Sequence, residues 1–363
     1  MKSFQEEFAV IKQICESDDF IKENSQMKER LSSRPVVLYG AGDVGISTAK
    51  ALWHYGIEPV CFCDKRLSGV QKETGIKIIS PQMLKFNYSD ANIIICSVRY
   101  FDEICNDLAV LGYSSTQIFS RVFLNLHEMS YESIMPHLPG YECAYDSFED
   151  DNSKQILMWR LNCYLTSCPV KLRSPPPQYF DPEIMTLTDK EIFVDGGMYT
   201  GDTAELFFQS TNGKYIHYYG FEPDDEIYRI ANENLSKVQN KTLNNKGLWS
   251  KQESLGFLYG QRGASKVYIE SGRFAEVISL DGFFSDKEPP TFIKMDIEGA
   301  ELEAVKGSLG IIQQYKPKLA ICVYHKPEDI YTLPQQIKRV RPDYKLYLRH
   351  YSNTLAETVL YGI

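Results

Sequence analysis

The 363-residue sequence lacks several features that would place it in a special class of protein. No run approaches the roughly 20 apolar residues that a membrane-spanning helix needs, and residues 1–20 have no signal-peptide core. Its nine cysteines include no CxxC pair of the kind that binds zinc. Acidic residues outnumber basic ones by 48 to 39, so no positive surplus exists to neutralise nucleic-acid phosphates. We therefore expect a cytoplasmic protein with reduced thiols, no membrane insertion and no nucleic-acid partner.

The composition that is present is that of an ordinary globular protein, with 43% apolar and 24% charged residues. Two segments read as a strand, a glycine loop and a helix, and strands alternate with helices after each of them. This pattern predicts two α/β domains with doubly wound parallel sheets, the second of which ends in an antiparallel pair. The predicted organisation is an N-terminal helical segment (1–33), a Rossmann-like nucleotide-binding domain (34–120), a helical connector (121–177) and a second domain (178–363).

Individual elements can also be predicted. Helices are expected within residues 2–30 and 152–165, and strands in VVLYG, PVCFCD and NIIICSV. In the second half, ESLGFLYG and SKVYIES read as a hairpin, and YKLYLRHYS with ETVLYGI reads as the closing antiparallel pair.

The first glycine loop has the pattern GxGxxG, with Gly40, Gly42 and Gly45 between a strand and a helix. Asp64 ends the next strand, where a carboxylate would bind ribose hydroxyls. The context favours NAD or another nucleotide diphosphate, while a loop that binds nothing and serves as scaffold stays an alternative. The segments LYGAGDVG, CFCDK and GIKIISPQML resemble the nucleotide-sugar-binding domain of sugar O-acyltransferases. That resemblance implies a nucleotide-sugar ligand as readily as NAD.

The second glycine loop differs chemically, because Asp195 directly precedes Gly196 and Gly197. A carboxylate there would repel a pyrophosphate and attract the ammonium group of S-adenosylmethionine. Glu222 ends the following strand and suits the ribose hydroxyls. The remaining predicted cofactor contacts are Thr200, Gly201 and Thr203 in the loop and helix start, Pro223, the segment Lys246, Gly247 and Leu248 for the adenine, and Tyr179 as part of an aromatic lid or of the core.

The second half of the chain resembles the FkbM family of S-adenosylmethionine-dependent methyltransferases. The motifs that carry the resemblance include FVDGGMYTGDTAELF, FEPDDEIY, SLDGFF, IKMDIEGAELEAVKG and KPKLAICVYH. It implies transfer of a methyl group to a hydroxyl, often on a sugar or a natural-product scaffold, and it covers residues from about 178 to the last.

Candidate catalytic residues follow from strand ends, where open α/β sheets bind ligands. His325 is the predicted general base, or it orients the acceptor, and Asp296 and Glu298 would shape the same pocket. His350 and Tyr351 end a later strand and are candidate substrate contacts. Asp296 with Glu298 would suit magnesium, but the sequence shows no dense cluster of histidines and carboxylates, so no metal site is predicted.

The sequence thus favours an O-methyltransferase that acts on a hydroxyl of a sugar, glycan or glycosylated natural product. Two other functions stay open: an NAD-dependent oxidoreductase that uses the first glycine loop, and a non-catalytic nucleotide-sugar-binding protein. The partner expected in each case is a small molecule or glycan, with homo-oligomerisation an open alternative.

Overall fold

The computed structural model describes residues 2–97, 100–120, 131–166, 172–175, 177–256, 274–352 and 355–363. These residues form two compact units. The N-terminal unit contains the described residues within 2–136 and 160–169, and the C-terminal unit those within 137–159 and 170–363. Among the described residues, no helix combines the length and apolar character needed to cross a membrane.

The elements of the N-terminal unit follow the predicted alternation of strands and helices. They are α1 (Phe4–Cys15), α2 (Asp18–Ser32), β1 (Val36–Tyr39), α3 (Asp43–His54), β2 (Cys61–Cys63), β3 (Gly69–Val70), β4 (Lys77–Ile79), α4 (Pro81–Asn87), β5 (Asn92–Ile95), α5 (Phe101–Val110), a 3₁₀ turn (Ser115–Gln117), β6 (Ile118–Ser120) and α6 (Tyr131–Ile134), after which comes a 3₁₀ turn (Met135–His137).

The helical segment before β1 divides into two helices because Ser17 caps the second. The Ser17 hydroxyl accepts the Phe20 amide proton, and Ser3 forms a capping box with Glu6 at the start of α1. Phe4 and Phe8 are buried on the inner face of α1. The N-terminal helices therefore belong to the same compact unit as the first sheet.

The six-stranded sheet of this unit has the order β3-β4-β2-β1-β5-β6. β1 pairs in parallel with both β2 and β5. Val36 and Leu38 pack in one apolar cluster, while Val37 and Tyr39 pack in another on the opposite face. A sheet with both faces buried needs strands that are apolar throughout, and this explains the continuous apolar runs.

The C-terminal unit opens with helices and continues as a second α/β sheet. Its elements are α7 (Leu138–Ser147), α8 (Asp151–Thr166, which ends in the other unit), β7 (Ile192–Gly196), α9 (Asp202–Ser210), β8 (His217–Phe221), α10 (Asp225–Asn234), β9 (Lys241–Asn244), β10 (Gly247–Leu248), β11 (Glu253–Gly256), β12 (Phe274–Ile278), α11 (Leu280–Phe283), β13 (Phe292–Met295), α12 (Glu301–Lys306), α13 (Leu309–Tyr315), β14 (Lys318–Cys322), α14 (Asp329–Val340), β15 (Leu346–His350) and β16 (Thr358–Gly362).

The main sheet of the C-terminal unit has the order β15-β16-β14-β13-β7-β8-β9. All neighbouring strands are parallel except β16, which runs antiparallel to both β14 and β15. The strand order reverses between β7 and β13, so a ligand crevice is expected at their carboxyl ends. The prediction of two α/β folds with an antiparallel end to the second is confirmed.

Two local expectations have a different outcome. The first hairpin strand is present as β11, but its antiparallel partner is β12, and the predicted strand SKVYIES lies outside the described residues. The described residues of the predicted connector are divided between the two units. The predicted domain boundaries stay a prediction.

Candidate active site

A cavity of about 720 Å³ opens at the carboxyl ends of β13, β7 and β8, where the strand order reverses. Its lining includes the residue that directly follows each of these strands in the chain: Gly197 after β7, Glu222 after β8 and Asp296 after β13. Glu222 and Asp296 follow strands that are two positions apart in the sheet, a spacing of about 10 Å. The cavity therefore has one side near Glu222 and another near Asp296, with the glycine turn between them.

The glycine turn is held tightly against the residue that follows β13. Gly197 has a φ of +71°, and a Cβ atom there would lie 1.9 Å from the carbonyl oxygen of Asp296. The Gly197 amide also donates to the Phe221 carbonyl oxygen over 3.0 Å. Only glycine fits this position, since it tolerates both the left-handed backbone and the close approach.

Asp195 has a different environment from the one expected of a cofactor contact. Its side chain is fully buried, and Oδ1 pairs with Lys294 Nζ at 2.9 Å while Oδ2 accepts the Tyr218 hydroxyl at 2.8 Å. It does not line the cavity. The carboxylate therefore acts on the lysine rather than on a ligand.

Lys294 is a functional residue that the sequence reasoning missed. Besides Asp195, its ammonium group donates to the carbonyl oxygens of Gly196 at 3.2 Å and Gly197 at 2.7 Å. These three acceptors use all three donors of the ammonium group. Burial opposes its charge, but the field of Asp195 keeps the pKa of Lys294 above its usual value. The buried ion pair thus stabilises the glycine turn through the hydrogen bonds of Lys294 to its carbonyl oxygens.

Glu222 occupies the place predicted for a ribose-binding carboxylate. It lines the cavity, its side chain is largely buried, and Oε1 accepts the Asp224 amide proton at 2.9 Å. Burial raises the pKa of Glu222 to about 7. The carboxyl group consequently changes charge near neutral pH.

The other side of the cavity is formed by tyrosines and carboxylates. Tyr179 donates its hydroxyl to Asp296 Oδ2 at 2.8 Å, and Tyr324 donates to Oδ1 at 3.2 Å. Burial opposes ionisation of Asp296, but Lys294 and these contacts hold its pKa below the usual value. Glu298 and Glu357 also line this side, and burial raises the pKa of Glu357.

Four residues that line this cavity have a left-handed backbone conformation. Tyr179, Tyr199, Glu298 and Glu357 line it and have φ values between +48° and +69°. A left-handed conformation costs a non-glycine residue about 1–2 kcal/mol, and such strain is typical of functional sites.

His325 lies behind the cavity rather than in its lining. Its Nδ1 is 2.8 Å from Glu301 Oε1, and its Nε2 is 3.5 Å from oxygens of Asp296 and Glu298. Burial disfavours the imidazolium, but the three carboxylates raise the pKa of His325 to about 9. A protonated imidazole cannot accept a proton, so the geometry does not favour the predicted role of general base.

The predicted cofactor residues fall into two groups. Those that line the cavity are Tyr179, Gly197, Thr203, Glu222, Pro223, Gly247 and Leu248. Those that do not are Asp195, Gly196, Thr200, Gly201 and Lys246. Gly201 instead begins α9 in a left-handed conformation, and the Thr200 carbonyl accepts the Asn234 amide. Lys246 precedes β10, which is a separate short strand and not the end of the third one.

The predicted substrate contacts His350 and Tyr351 are buried away from the cavity. His350 Nδ1 lies 2.8 Å from the Thr358 hydroxyl, and its ring packs on Trp159. The Tyr351 hydroxyl lies 2.6 Å from that of Tyr361. Both side chains stabilise the β15–β16 end of the sheet.

The first glycine loop makes a tight turn between β1 and α3. A Cβ at Gly45 would lie 2.0 Å from the Gly40 carbonyl oxygen, whereas one at Gly42 would meet nothing within 4 Å. Asp64 accepts the Ala41 amide proton at 3.0 Å and those of Arg66 and Leu67 through its other oxygen. Its carboxylate therefore holds the loop itself, in addition to any role toward a ribose.

Comparison with solved structures gives one match over nearly the whole chain and others over about half of it. A methyltransferase FkbM from Methylobacillus flagellatus KT has a TM-score of 0.64 and 23% identity, covering 95% of this chain and 98% of that one. An rRNA methylase from Streptococcus thermophilus has a TM-score of 0.32 and 18% identity, covering 49% of this chain and 87% of that one. Aeropyrum pernix fibrillarin, solved with natively bound S-adenosyl-L-methionine, has a TM-score of 0.34 and 9% identity, covering 49% and 69%. No curated protein matches the chain.

The strand order, the glycine turn at the switch point and the cavity define the C-terminal unit as a methyltransferase-type α/β domain. Residues 195–344 match the methyltransferase FkbM domain, and residues 32–119 match the C2185-like N-terminal domain. The C-terminal unit therefore carries a methyltransferase FkbM domain.

Proposed function

We propose that the C-terminal unit binds S-adenosylmethionine in this cavity and transfers its methyl group to a hydroxyl of a sugar, glycan or glycosylated natural product. The observation that carries the proposal is the charge of the cavity wall. Its acidic residues are Asp202, Glu222, Asp224, Glu226, Asp296, Glu298 and Glu357, against Arg229 and the fully paired Lys294 as the basic ones. Such a wall repels phosphate and attracts a sulfonium and an ammonium group.

The two sides of the cavity suit the two parts of the reaction. Glu222 would accept the ribose hydroxyls, with the adenine against Leu248 beyond it. Asp202 lines the cavity near the glycine turn and would take the place of Asp195 as the partner of the methionine ammonium group.

The acceptor would lie on the side formed by Tyr179, Tyr324 and the carboxylates. Aromatic faces pack on the apolar faces of sugar rings, and carboxylates accept hydrogen bonds from sugar hydroxyls. In the transfer, the bond from the acceptor oxygen to the methyl carbon forms as the carbon–sulfur bond breaks, and its electron pair stays on sulfur. The hydroxyl proton passes to a carboxylate, for which Glu298 and Glu357 are placed in the wall. Holding the two reactants in line supplies much of the rate enhancement.

We expect the affinity for S-adenosylhomocysteine to fall as the pH falls through 7. Burial raises the pKa of Glu222 to about 7, so below that pH the free protein carries a neutral carboxyl group. Ribose hydroxyls favour the charged form, and the affinity should drop by up to about tenfold per pH unit. Glu222→Gln should weaken binding at pH 8 by roughly five- to a hundredfold and remove the pH dependence.

Isothermal titration calorimetry between pH 6 and 8 measures both effects. Glu233→Gln, at the exposed end of α10, is the matched control and should behave as the wild type. Wild-type affinity and pH dependence in Glu222→Gln would remove the ribose assignment. A methyl-transfer assay against neutral sugars and glycans then tests the acceptor class, and the proposal fails if no hydroxyl acceptor is methylated.

For the N-terminal unit we propose a nucleotide diphosphate, or the nucleotide part of a sugar carrier, at the first glycine loop. Gly42 has open space in front of it and begins α3 without a side-chain cap, so backbone amides there are available to an anion. Gly42→Val should block pyrophosphate approach while leaving the melting temperature of the unliganded protein and S-adenosylhomocysteine binding intact. The increase in melting temperature on adding UDP, UDP-sugars, CDP-sugars or NAD measures binding to the wild type and to Gly42→Val. Absence of any shift in the wild type at millimolar ligand would leave the loop as scaffold.

A further inference from the structure

A cluster of titratable side chains lies behind the acceptor side of the cavity. Ligand atoms of Asp296, Glu301 and His325 all lie within 4.8 Å of one another. Two ligands of one ion with bonds of about 2.1 Å are at most roughly 4.2 Å apart, so only a small contraction would bring these atoms around an ion. Glu298 adds an oxygen 3.5 Å from His325 Nε2.

Several polar atoms of this cluster are buried without a hydrogen-bond partner. They include Glu301 Oε2 and His325 Nε2, and the neighbouring Asp329 Oδ2 is in the same state. The Glu301 side chain is 0% exposed and that of His325 is 6% exposed. Glu301 Oε1 is already engaged by the Ile297 amide at 2.9 Å, so Oε2 is the oxygen left over. Buried polar atoms without partners are rare, and an ion is one explanation for them.

The charge balance points the same way. Three carboxylates lie within 3.5 Å of the His325 ring. The imidazolium of His325 supplies a single positive charge and loses its proton when the ring binds an ion, so a divalent cation adds one net positive charge. The ammonium group of the buried Lys294 already has all its donors engaged. Burying uncompensated negative charge is costly, and a divalent cation would compensate it.

We propose that Asp296, Glu301 and His325 form a binding site for a divalent cation. One nitrogen and two oxygen donors favour a first-row transition ion such as Mn²⁺ or Zn²⁺ over Ca²⁺, which prefers oxygen alone. Asp296 and Glu298 also line the cavity, so an ion held by this cluster would lie at the cavity wall on the acceptor side. This part of the proposal rests on the proposed function: the ion would bind the acceptor hydroxyl and lower the pKa of that hydroxyl as a Lewis acid.

Electron paramagnetic resonance with Mn²⁺ tests the site on the full chain, after chelation and without a methyl donor. We expect one saturable ion per chain, with nitrogen coupling from one imidazole in the pulsed spectrum. Glu301→Gln and His325→Ala should weaken binding at least tenfold, and His325→Ala should also remove the nitrogen coupling. Glu303→Gln, half-buried on the same helix and paired with Lys306, should bind as the wild type. Zn²⁺ and Mg²⁺ competing against bound Mn²⁺ rank the ion preference.

Binding of S-adenosylhomocysteine to each variant shows that it is folded and keeps this test apart from the proposed function. Methyl transfer that is lost on chelation and restored by Mn²⁺, with unchanged S-adenosylhomocysteine affinity, supports the catalytic role. The proposal is overturned if neither Mn²⁺ nor Zn²⁺ binds saturably below about 1 mM. It is also overturned if the affinity for the ion is unchanged in both Glu301→Gln and His325→Ala. A protein that binds the ion but not S-adenosylhomocysteine would contradict the proposed function alone.

Discussion

Gly197→Ala is expected to abolish S-adenosylhomocysteine binding and to lower the free energy of unfolding by about 3 kcal/mol or more. The added Cβ would lie 1.9 Å from the Asp296 carbonyl oxygen, at a φ of +71°. The turn cannot move away, because the Gly197 amide is bonded to the Phe221 carbonyl and the Gly197 carbonyl to Lys294. Either the glycine turn or the segment after β13 must shift, and both line the cavity. Calorimetry and chemical denaturation measure the two effects.

Gly213→Ala separates the clash from the cost of the backbone conformation. Gly213 lies in the same unit at almost the same φ, +69°, but a Cβ there would meet nothing within 4 Å. It should lose only about 1–2 kcal/mol, the cost of a left-handed alanine, and should bind S-adenosylhomocysteine normally. Equal stability losses in the two variants, or retained binding in Gly197→Ala, would mean that the turn adapts and does not depend on this contact.

The fold could be predicted from the sequence because its main signals are local. Strands such as NIIICSV are apolar throughout, as strands buried on both faces must be, and each glycine loop marks the passage from strand to helix. The pairing of β11 could not be predicted this way. Its partner is β12, and the local pattern of one strand does not specify which distant segment pairs with it.

The sequence predicts those residues of the candidate site that follow the carboxyl ends of parallel strands. It does not predict the residues that other elements bring to the cavity. Glu222 and Asp296 follow parallel strands and line the cavity. Glu357 lines it too, but it precedes β16, and the start of an antiparallel strand meets the same edge at which its neighbour ends. His350 is the last residue of β15, which runs in the same direction as β14. It does not reach the cavity, because β15 is an edge strand of the sheet, far from the switch point.

The contact between Glu301 and His325 and the buried ion pair of Lys294 with Asp195 were not predicted, because they depend on packing that no sequence motif encodes. Glu301 reads as an ordinary acidic residue in the first turn of a helix, but it is fully buried beside His325. Lys294 sits inside a strand whose four residues are all buried, and a lysine there needs a partner. The register of β13 on β7 places it directly beside Asp195, and a register cannot be predicted from either strand alone.

Lys294→Met is expected to destabilise the C-terminal unit by about 3–5 kcal/mol, since it leaves the fully buried Asp195 carboxylate with only the Tyr218 hydroxyl as a partner. Burial already raises the pKa of Asp195 against the field of Lys294, and without the lysine that pKa should rise further. A carboxyl group whose folded pKa exceeds its unfolded value lowers stability as the pH rises. The loss should therefore be larger at pH 8 than at pH 5, which denaturation at the two values measures.

The double variant Asp195→Asn, Lys294→Met decides whether the loss comes from the stranded charge. Asparagine is neutral, so the double variant leaves no buried charge behind, while the carbonyl oxygens of Gly196 and Gly197 still lose the lysine. It should recover at least half of the stability and show no pH dependence between 5 and 8. Lys306→Met, which breaks only an exposed pair with Glu303, should cost less than about 1 kcal/mol. A double variant no more stable than Lys294→Met would show that Lys294 acts chiefly through its bonds to the glycine turn, and that neutralising Asp195 is secondary.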